Sequence, residues 1–275
     1  MADEAGDLIA SPDLAEPDLP EIVRRVRART PARLLQGRAG AAYRTQTQLE
    51  LRKAHAAARD AVRAELALQR DFSAAFLARW DLFEVSTQAA SKDEYLLRPD
   101  LGRCFSEEAR AELTERCSHG NDLQIVIGDG LSVTAVSKQV PSLLEFLQEQ
   151  AAERGWKTGE PFVVRHCRVG ILNEIGALLT PRIVILLIGE RPGLATAESL
   201  SAYLAYRPQP SHTDANRNLV SNIHSRGVTA RDAALRITNL AAKMLAAGTS
   251  GYQLREEFAA PMNSEIIFLP RVSSE

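Results

Sequence analysis

Residues 182–194 read RIVILLIGERPGL and place an acid and a guanidinium side by side at the end of an apolar run. Glu190 can accept hydrogen bonds and Arg191 can donate them, so the pair could orient a polar ligand. Six apolar residues, 183–188, lead into the pair without a break, and Gly189 frees the backbone between. Such a run, mostly β-branched, suits a strand buried on both faces, as in a parallel sheet covered by helices. In open α/β sheets ligands bind just beyond the carboxyl ends of the strands. The competing reading is a surface ion pair at the turn that Pro192 and Gly193 make.

Two other stretches carry chemistry-bearing residues. GDGLS, residues 128–132, follows the apolar run LQIVI. It lacks the third glycine of the dinucleotide fingerprint, puts Asp129 where a pyrophosphate would lie, and has no Lys-Ser/Thr pair. It therefore reads as a polar, ligand-facing turn, with Asp129 and Ser132 supplying hydrogen bonds, rather than as a nucleotide site. NIHSRG, residues 222–227, is similar to D-x-H-x-x-G, which puts a histidine on the cobalt of cobalamin, but Asn222 replaces the acid. A ligating imidazole needs its other nitrogen held by a carboxylate or carbonyl, and an amide holds it more weakly. His224 thus reads as a hydrogen-bonding histidine at a strand end. There is no G-x-S-x-G elbow, no Cys/His pair at metal-ligand spacing, and the five histidines are scattered. The pattern fits binding at a sheet edge better than unaided catalysis.

The elements that must position these residues follow from periodicity. Strands are expected at 123–127 (LQIVI), 162–167 (FVVRHC), 183–188, 199–206 (SLSAYLAY) and 218–224 (NLVSNIH). Helices are expected from Val133 or Pro141 to Arg154, over ILNEIGALL after the RVG turn, and over 229–247, where Thr229 and Asp232 cap and Gly248 stops. Strand, helix, strand, helix, strand is a doubly wound α/β layout. Upstream, Pro20 opens a short helix. A long Ala-, Arg-, Leu- and Gln-rich helical pattern runs from Thr47 to about Trp80, with Asp71 or Ser73 capping a second segment. Ser106 caps a short helix, SEEARAELTERC, within the polar connection 91–120.

Four regions result: an acidic, disordered tail (1–20), a helical extension (21–120), the α/β domain (121–256) and a C-terminal tail (257–275). The first holds three prolines and six acids and too little apolar surface to offset its ordering entropy. The extension has a thin apolar stripe, so it lies on the α/β domain or on another protein. Arg24, Arg25, Arg27, Arg29, Arg33, Arg38 and Arg44 decorate it, but interleaved acids and few aromatics favour a solvated face or protein interface over nucleic acid. A net charge of -2 likewise gives no global attraction for nucleic acid or an anionic membrane. Cys104, Cys117 and Cys167 are odd in number and widely spaced, as in a reducing, cytoplasmic setting. No apolar run approaches the roughly 20 residues that span a bilayer.

Several long blocks, in order, identify a relative: TPARLLQGRAG (30–40), HAAARDAV (55–62), DLQIVIGDGLSVTAV (122–136), RVGILNEIG (168–176), LLIGERPGLATAESLSAYLAYRP (186–208) and RNLVSNIHSRG (217–227). Together they resemble the light chain of ethanolamine ammonia-lyase over about residues 25–255. The resemblance implies an adenosylcobalamin-dependent lyase that converts ethanolamine to acetaldehyde and ammonia by radical chemistry. It implies a Rossmann-like, doubly wound, mostly parallel sheet with an N-terminal helical extension that docks on a TIM-barrel heavy chain. The cofactor would lie between the two chains, with its own benzimidazole kept on cobalt, in an assembly of six copies of each chain. Three positions fall on the family's cofactor contacts: Val169 of the RVG turn, Glu190 of GERPG, and Leu219, where some members carry a cysteine. Residues 1–20 would address the enzyme to a bacterial microcompartment, as in some members. Two further readings stand beside this one: a stand-alone nucleotide-dependent oxidoreductase, and a non-catalytic cobalamin carrier using NIHSRG.

Overall fold

The computed structural model describes residues 20–30, 32–193 and 196–254. The tails expected at 1–20 and 257–275 lie outside the described residues, apart from Pro20. The chain starts with α1 (Glu21–Ala28), a two-strand hairpin β1 (Arg38–Ala39) and β2 (Ala42–Tyr43), and the long helix α2 (Thr45–Arg63). The helical pattern expected from Thr47 to about Trp80 is divided into α2, α3 (Leu68–Asp71) and α4 (Ala74–Trp80), and the break before α4 falls at Ser73, one of the two caps expected for a second segment. The second break is local chemistry: the Ser73 hydroxyl accepts from the Phe76 N–H and starts α4 afresh.

Next come β3 (Phe83–Ser86), α5 (Lys92–Leu97) and α6 (Glu107–Arg116), the last capped by Ser106 as expected. The α/β segment then runs β4 (Leu123–Gly128), α7 (Val133–Glu153), β5 (Phe162–Arg165), α8 (Ile171–Leu179), β6 (Ile183–Gly189), β7 (Leu200–Tyr206), β8 (Asn218–Ile223) and α9 (Ala230–Ala247). Of the two expected starts for α7, the earlier holds. Ser132 caps it, and Pro141 sits inside the helix. Burial of Val133, Ala135, Val136 and Val140 along the first two turns anchors the helix through the lost N–H.

Six strands form one sheet in the order β3-β5-β4-β6-β7-β8. The pairs β3–β5, β5–β4 and β4–β6 are parallel, whereas β6–β7 and β7–β8 are antiparallel. From β4 the chain passes through α7 to β5 on one side and then through α8 to β6 on the other. The carboxyl end of β4 is thus the point where the winding reverses. Strand β3 lies inside the region read as helical. It is four residues long and carries Glu84, so no apolar run announced it, yet Phe83 and Val85 are buried where they pair with β5. Strand β5 ends at Arg165, two residues short of the expected FVVRHC, because His166 turns into left-handed geometry (φ 53°).

The sheet has two unequal covers. On one face α7 and α9 pack with Leu66, Phe72 and Phe76 of the helical region against Ile125, Ile185, Leu187, Ala202, Leu204 and Val220. On the other, α6 and α8 cover Val126, Val164, Val184 and Leu186. β6 is buried along all seven residues, as a strand between two helical layers must be. Truncating Ile185 to Ala there costs about 2–5 kcal/mol. At β8 the second cover runs out: Leu219 is 44% exposed and Ser221 is exposed beside it.

Candidate functional site

Three loops meet where the winding reverses. Residues 129–132 follow β4, 166–170 follow β5, and 190–199 follow β6. Gly130 and Gly189 let the first and third approach closely. A Cβ on Gly130 (φ +55°) would stand 2.5 Å from the Gly189 carbonyl oxygen, and one on Gly189 would stand 2.0 Å from that of Ser132. The Leu131 N–H donates to the Gly189 carbonyl at 3.1 Å and closes the contact.

A buried network sets the middle loop. Asp129, fully buried, accepts from the Cys167 N–H at 3.1 Å through Oδ1, and its Oδ2 lies 3.7 Å from Lys92 Nζ. Lys92 also donates to the Gly130 carbonyl at 3.0 Å. Tyr95, one turn along α5, donates from its hydroxyl to the Cys167 carbonyl at 2.9 Å. The Arg168 guanidinium lies 4.2 Å from the Tyr95 ring centroid and donates to the Tyr95 carbonyl at 3.2 Å. Burial, and then the Asp129 carboxylate, push the Cys167 thiol well above its ordinary value. It is therefore a packing group rather than a nucleophile.

This arrangement corrects the reading of GDGLS. The Asp129 and Ser132 side chains do not face a ligand; both are fully buried. Ser132 caps α7 through the Ala135 N–H and donates to the Ala197 carbonyl at 2.5 Å. Only Gly130 and Leu131 of that turn line the cleft.

The cleft itself, about 370 Å³, is where the structure brings Val169, Glu190 and Leu219 together. Val169 sits on the turn after β5, Glu190 at the end of β6, and Leu219 on the open face of β8. Glu190 does not pair with Arg191. Its carboxylate accepts from Ser199 Oγ at 2.8 Å, from the Ser201 hydroxyl, and from the Asn222 N–H at 3.4 Å. These donors fix the carboxylate at the cleft wall and leave acceptor capacity on its two oxygens. Arg191 is exposed and lines the same cleft.

Sequence reasoning passed over Arg168, Ser201 and Tyr203, which also line the cleft. A signal existed for two of them. In β7 the residues Leu200, Ala202 and Leu204 face the α7/α9 core, so Ser201 and Tyr203 must face the other side. Tyr203 pairs with Leu219 across β7 and β8, and burial, then the Glu190 charge, raise its phenol above the ordinary value. It is neutral at physiological pH and offers an apolar ring to the cleft.

His224 is held as a strand-end histidine. Nε2 is 2.8 Å from Asn222 Oδ1, and Nδ1 accepts from the Arg226 N–H at 3.2 Å, so both ring nitrogens are engaged within its own turn. The residue is 3% exposed and does not line the cleft. Among the described residues no three His, Cys, Asp or Glu side chains cluster to hold a metal, and no helix is long and apolar enough to cross a membrane.

The chain matches the family described as ethanolamine ammonia-lyase light chain over residues 20–255. It is 43% identical over 238 residues to the ethanolamine ammonia-lyase small subunit of Rhodopseudomonas palustris, covering 86% of this chain and 90% of that one. To the small subunit of Clostridium perfringens it is 41% identical over 235 residues, covering 86% and 78%. To that of Clostridium acetobutylicum it is 39% identical over 243 residues, covering 88% and 96%.

Proposed function

The chain belongs to the ethanolamine ammonia-lyase light-chain family, the small subunits of a carbon–nitrogen lyase, and from that premise we propose that it holds adenosylcobalamin in the cleft against a heavy chain. One observation carries the reading: Val169, Glu190 and Leu219 line a single cleft at the carboxyl end of the sheet, beside the exposed face of β8. A corrin is a broad ring rimmed with amides. The cleft offers what such a group needs: the Glu190 carboxylate as acceptor, Arg191 as donor, and Tyr203 and Leu219 as apolar floor. When bound, adenosylcobalamin supplies a cobalt–carbon bond whose homolysis begins the radical conversion of ethanolamine to acetaldehyde and ammonia. The residues of this chain bind and orient; none of them takes or gives a proton in the reaction. With both ring nitrogens engaged within its own turn, His224 would not serve as a ligand to the cofactor.

On this reading the sheet is a Rossmann-like unit, and the helical region before it docks on the heavy chain, six copies of each assembling together. Helix α1 buries none of its residues, and α2 buries only Thr47 and Ala61. Ile22, Leu34, Leu35, Tyr43 and Leu49 are large, exposed and apolar along the same region, an arrangement that suits a partner surface. Residues 1–20, the candidate microcompartment address, lie outside the described residues apart from Pro20. The test is reconstitution. The light chain alone should give no acetaldehyde, and activity should require the heavy chain and adenosylcobalamin together. Turnover by the light chain alone, or with a nicotinamide cofactor instead, contradicts the proposal.

A further inference from the structure

The turn that carries Val169 is shaped from outside the core α/β succession. Three consecutive carbonyls lead up to it, and each accepts from the segment between β3 and α6. Arg165 accepts from the Thr87 N–H at 3.4 Å, His166 from the Thr87 hydroxyl at 3.2 Å, and Cys167 from the Tyr95 hydroxyl at 2.9 Å. The Arg168 N–H then donates to the Gly102 carbonyl at 2.8 Å. His166 needs such holds, because its φ of 53° is left-handed geometry that a non-glycine residue keeps only where its surroundings impose it. Its Nδ1 lies 3.0 Å from the Ala89 carbonyl oxygen, in the same segment. The approach is close: a Cβ on Gly102 would stand 2.7 Å from the His166 carbonyl oxygen and 2.8 Å from Arg168 Cγ.

Tyr95 sits at the centre of this clamp. The Ser91 hydroxyl caps α5 by accepting from the Glu94 N–H, and the Glu94 carboxylate accepts from the Ala90 N–H at 2.8 Å, which fixes the short helix that presents Tyr95. The Arg168 guanidinium lies 4.2 Å, Lys92 Nζ 4.9 Å and the His166 ring 5.9 Å from the Tyr95 ring centroid. Tyr95 borders the cleft, yet it is 0% exposed and has no surface to offer a ligand. Burial pushes its phenol up, so the hydroxyl remains a hydrogen-bond donor.

We infer that Tyr95 is a positioning residue for the cofactor: it fixes the Cys167 carbonyl with its hydroxyl and the Arg168 side chain with its ring, and so presets the backbone at Val169 to the shape that a corrinoid meets. It acts through the turn and touches no part of the ligand. The inference rests on the cobalamin reading above and adds that part of the affinity resides in a residue the ligand never meets. A turn held in its bound shape spares the ordering that binding would otherwise require. Without the hold, only a fraction of molecules has the competent turn, so affinity falls while the chemical step is unchanged.

The test uses the light chain assembled with its heavy chain, titrated with adenosylcobalamin by absorbance. Tyr95→Phe keeps the ring and drops the hydroxyl, and Tyr95→Leu drops both. Thr87→Val, close in shape, releases only the His166 carbonyl and serves if the Tyr95 variants do not assemble. Leu240→Ala, buried in α9 on the face away from α8, weakens the fold by a cavity without touching the turn. The Kd should rise about fivefold for Tyr95→Phe, as for one lost hydrogen bond, further for Tyr95→Leu, and in the same direction for Thr87→Val. The kcat at saturating cofactor should not change. In the cofactor-free pair, the Cys167 and Arg168 amides should exchange hydrogen faster in Tyr95→Phe than in wild type, and at the wild-type rate in Leu240→Ala. A wild-type Kd in Tyr95→Phe (or in Thr87→Val, if that variant alone assembles) overturns the inference while the cleft reading stands. So does an equal rise in Leu240→Ala, which would make the effect one of general stability. A wild-type pair that leaves adenosylcobalamin unbound removes the cobalamin reading itself, and the inference with it.

Discussion

Lys92 and Asp129 form a sealed ion pair beneath the cleft, Nζ lying 3.7 Å from Oδ2 with side-chain exposures of 6% and 0%. Each partner also holds backbone: Lys92 the Gly130 carbonyl and Asp129 the Cys167 N–H. The pair thus ties the loops after β4 and β5 to α5, an element outside the core α/β succession. Removing one member leaves the other charge buried alone, whereas removing both charges does not. Lys92→Met should therefore destabilise the chain by about 3–5 kcal/mol. Lys92→Met with Asp129→Asn, which keeps an acceptor for Cys167, should recover most of that. Denaturant unfolding of both variants checks it; a single variant within about 1 kcal/mol of wild type would show that the pair does not brace the loops.

Glu190 is held by two hydroxyls and one backbone N–H, so its replacement removes a fixed acceptor rather than a mobile one. Glu190→Ala should raise the KM for adenosylcobalamin about tenfold with little loss of kcat, the worth of one charged hydrogen bond. Steady-state assays of the reconstituted enzyme over a range of cofactor concentrations separate the two. A fall in kcat at saturating cofactor with unchanged KM would instead place Glu190 in the chemistry.

His224 separates the lyase subunit from the carrier. His224→Ala loses the bonds to Asn222 and the Arg226 N–H, at a stability cost of about 1–3 kcal/mol. The nitrogen on cobalt should nonetheless be the same in variant and wild type when bound cofactor is examined by electron paramagnetic resonance. Loss of a nitrogen signal on substitution would mean that the imidazole leaves its turn to ligate cobalt.

Asp122 sets an acid limit on the fold. Its carboxylate accepts from the Lys157 N–H at 3.0 Å and from Arg182 at 3.0 Å, and that backbone bond, followed by Arg182, holds it below its ordinary 3.8. A lowered folded-state value stabilises the fold fully above about 3.8 and stops doing so as pH falls through the folded value. Wild type should be more stable than Asp122→Asn at neutral pH, and the gap should close only below about pH 4. A gap independent of pH would assign the effect to packing.

Much of the fold was legible because it is local. The unbroken apolar run of β6, the serine caps of α4 and α6, and the Thr229 and Gly248 ends of α9 are written in consecutive residues. The parts that escaped are those that distance makes. β3 is four residues with a charge in the middle, and only pairing with β5 makes it a strand. Asp129 reads as a ligand group until Lys92, contributed by α5, is seen to claim it. Val169 and Leu219 came from resemblance alone, whereas Glu190 was also marked by its place at the end of an apolar run; the meeting of the three in one cleft depends on the winding order, which no spacing along the chain reveals. Tyr203 and Ser201 lay within reach, since strand alternation had already assigned their neighbours to the opposite face.

The bare face of β8 offers the most direct test of the central claim that this chain walls in a corrinoid. Leu219 is exposed, so Leu219→Asp should fold, and assembly with the heavy chain can be checked by size. Titration of the assembled pair with adenosylcobalamin should show tight binding for wild type and a Kd at least about tenfold higher for the variant, because a carboxylate set against an apolar ring must be desolvated. An assembled wild-type pair that leaves the corrinoid free in solution, or a Leu219→Asp pair that binds it as wild type does, would contradict the account.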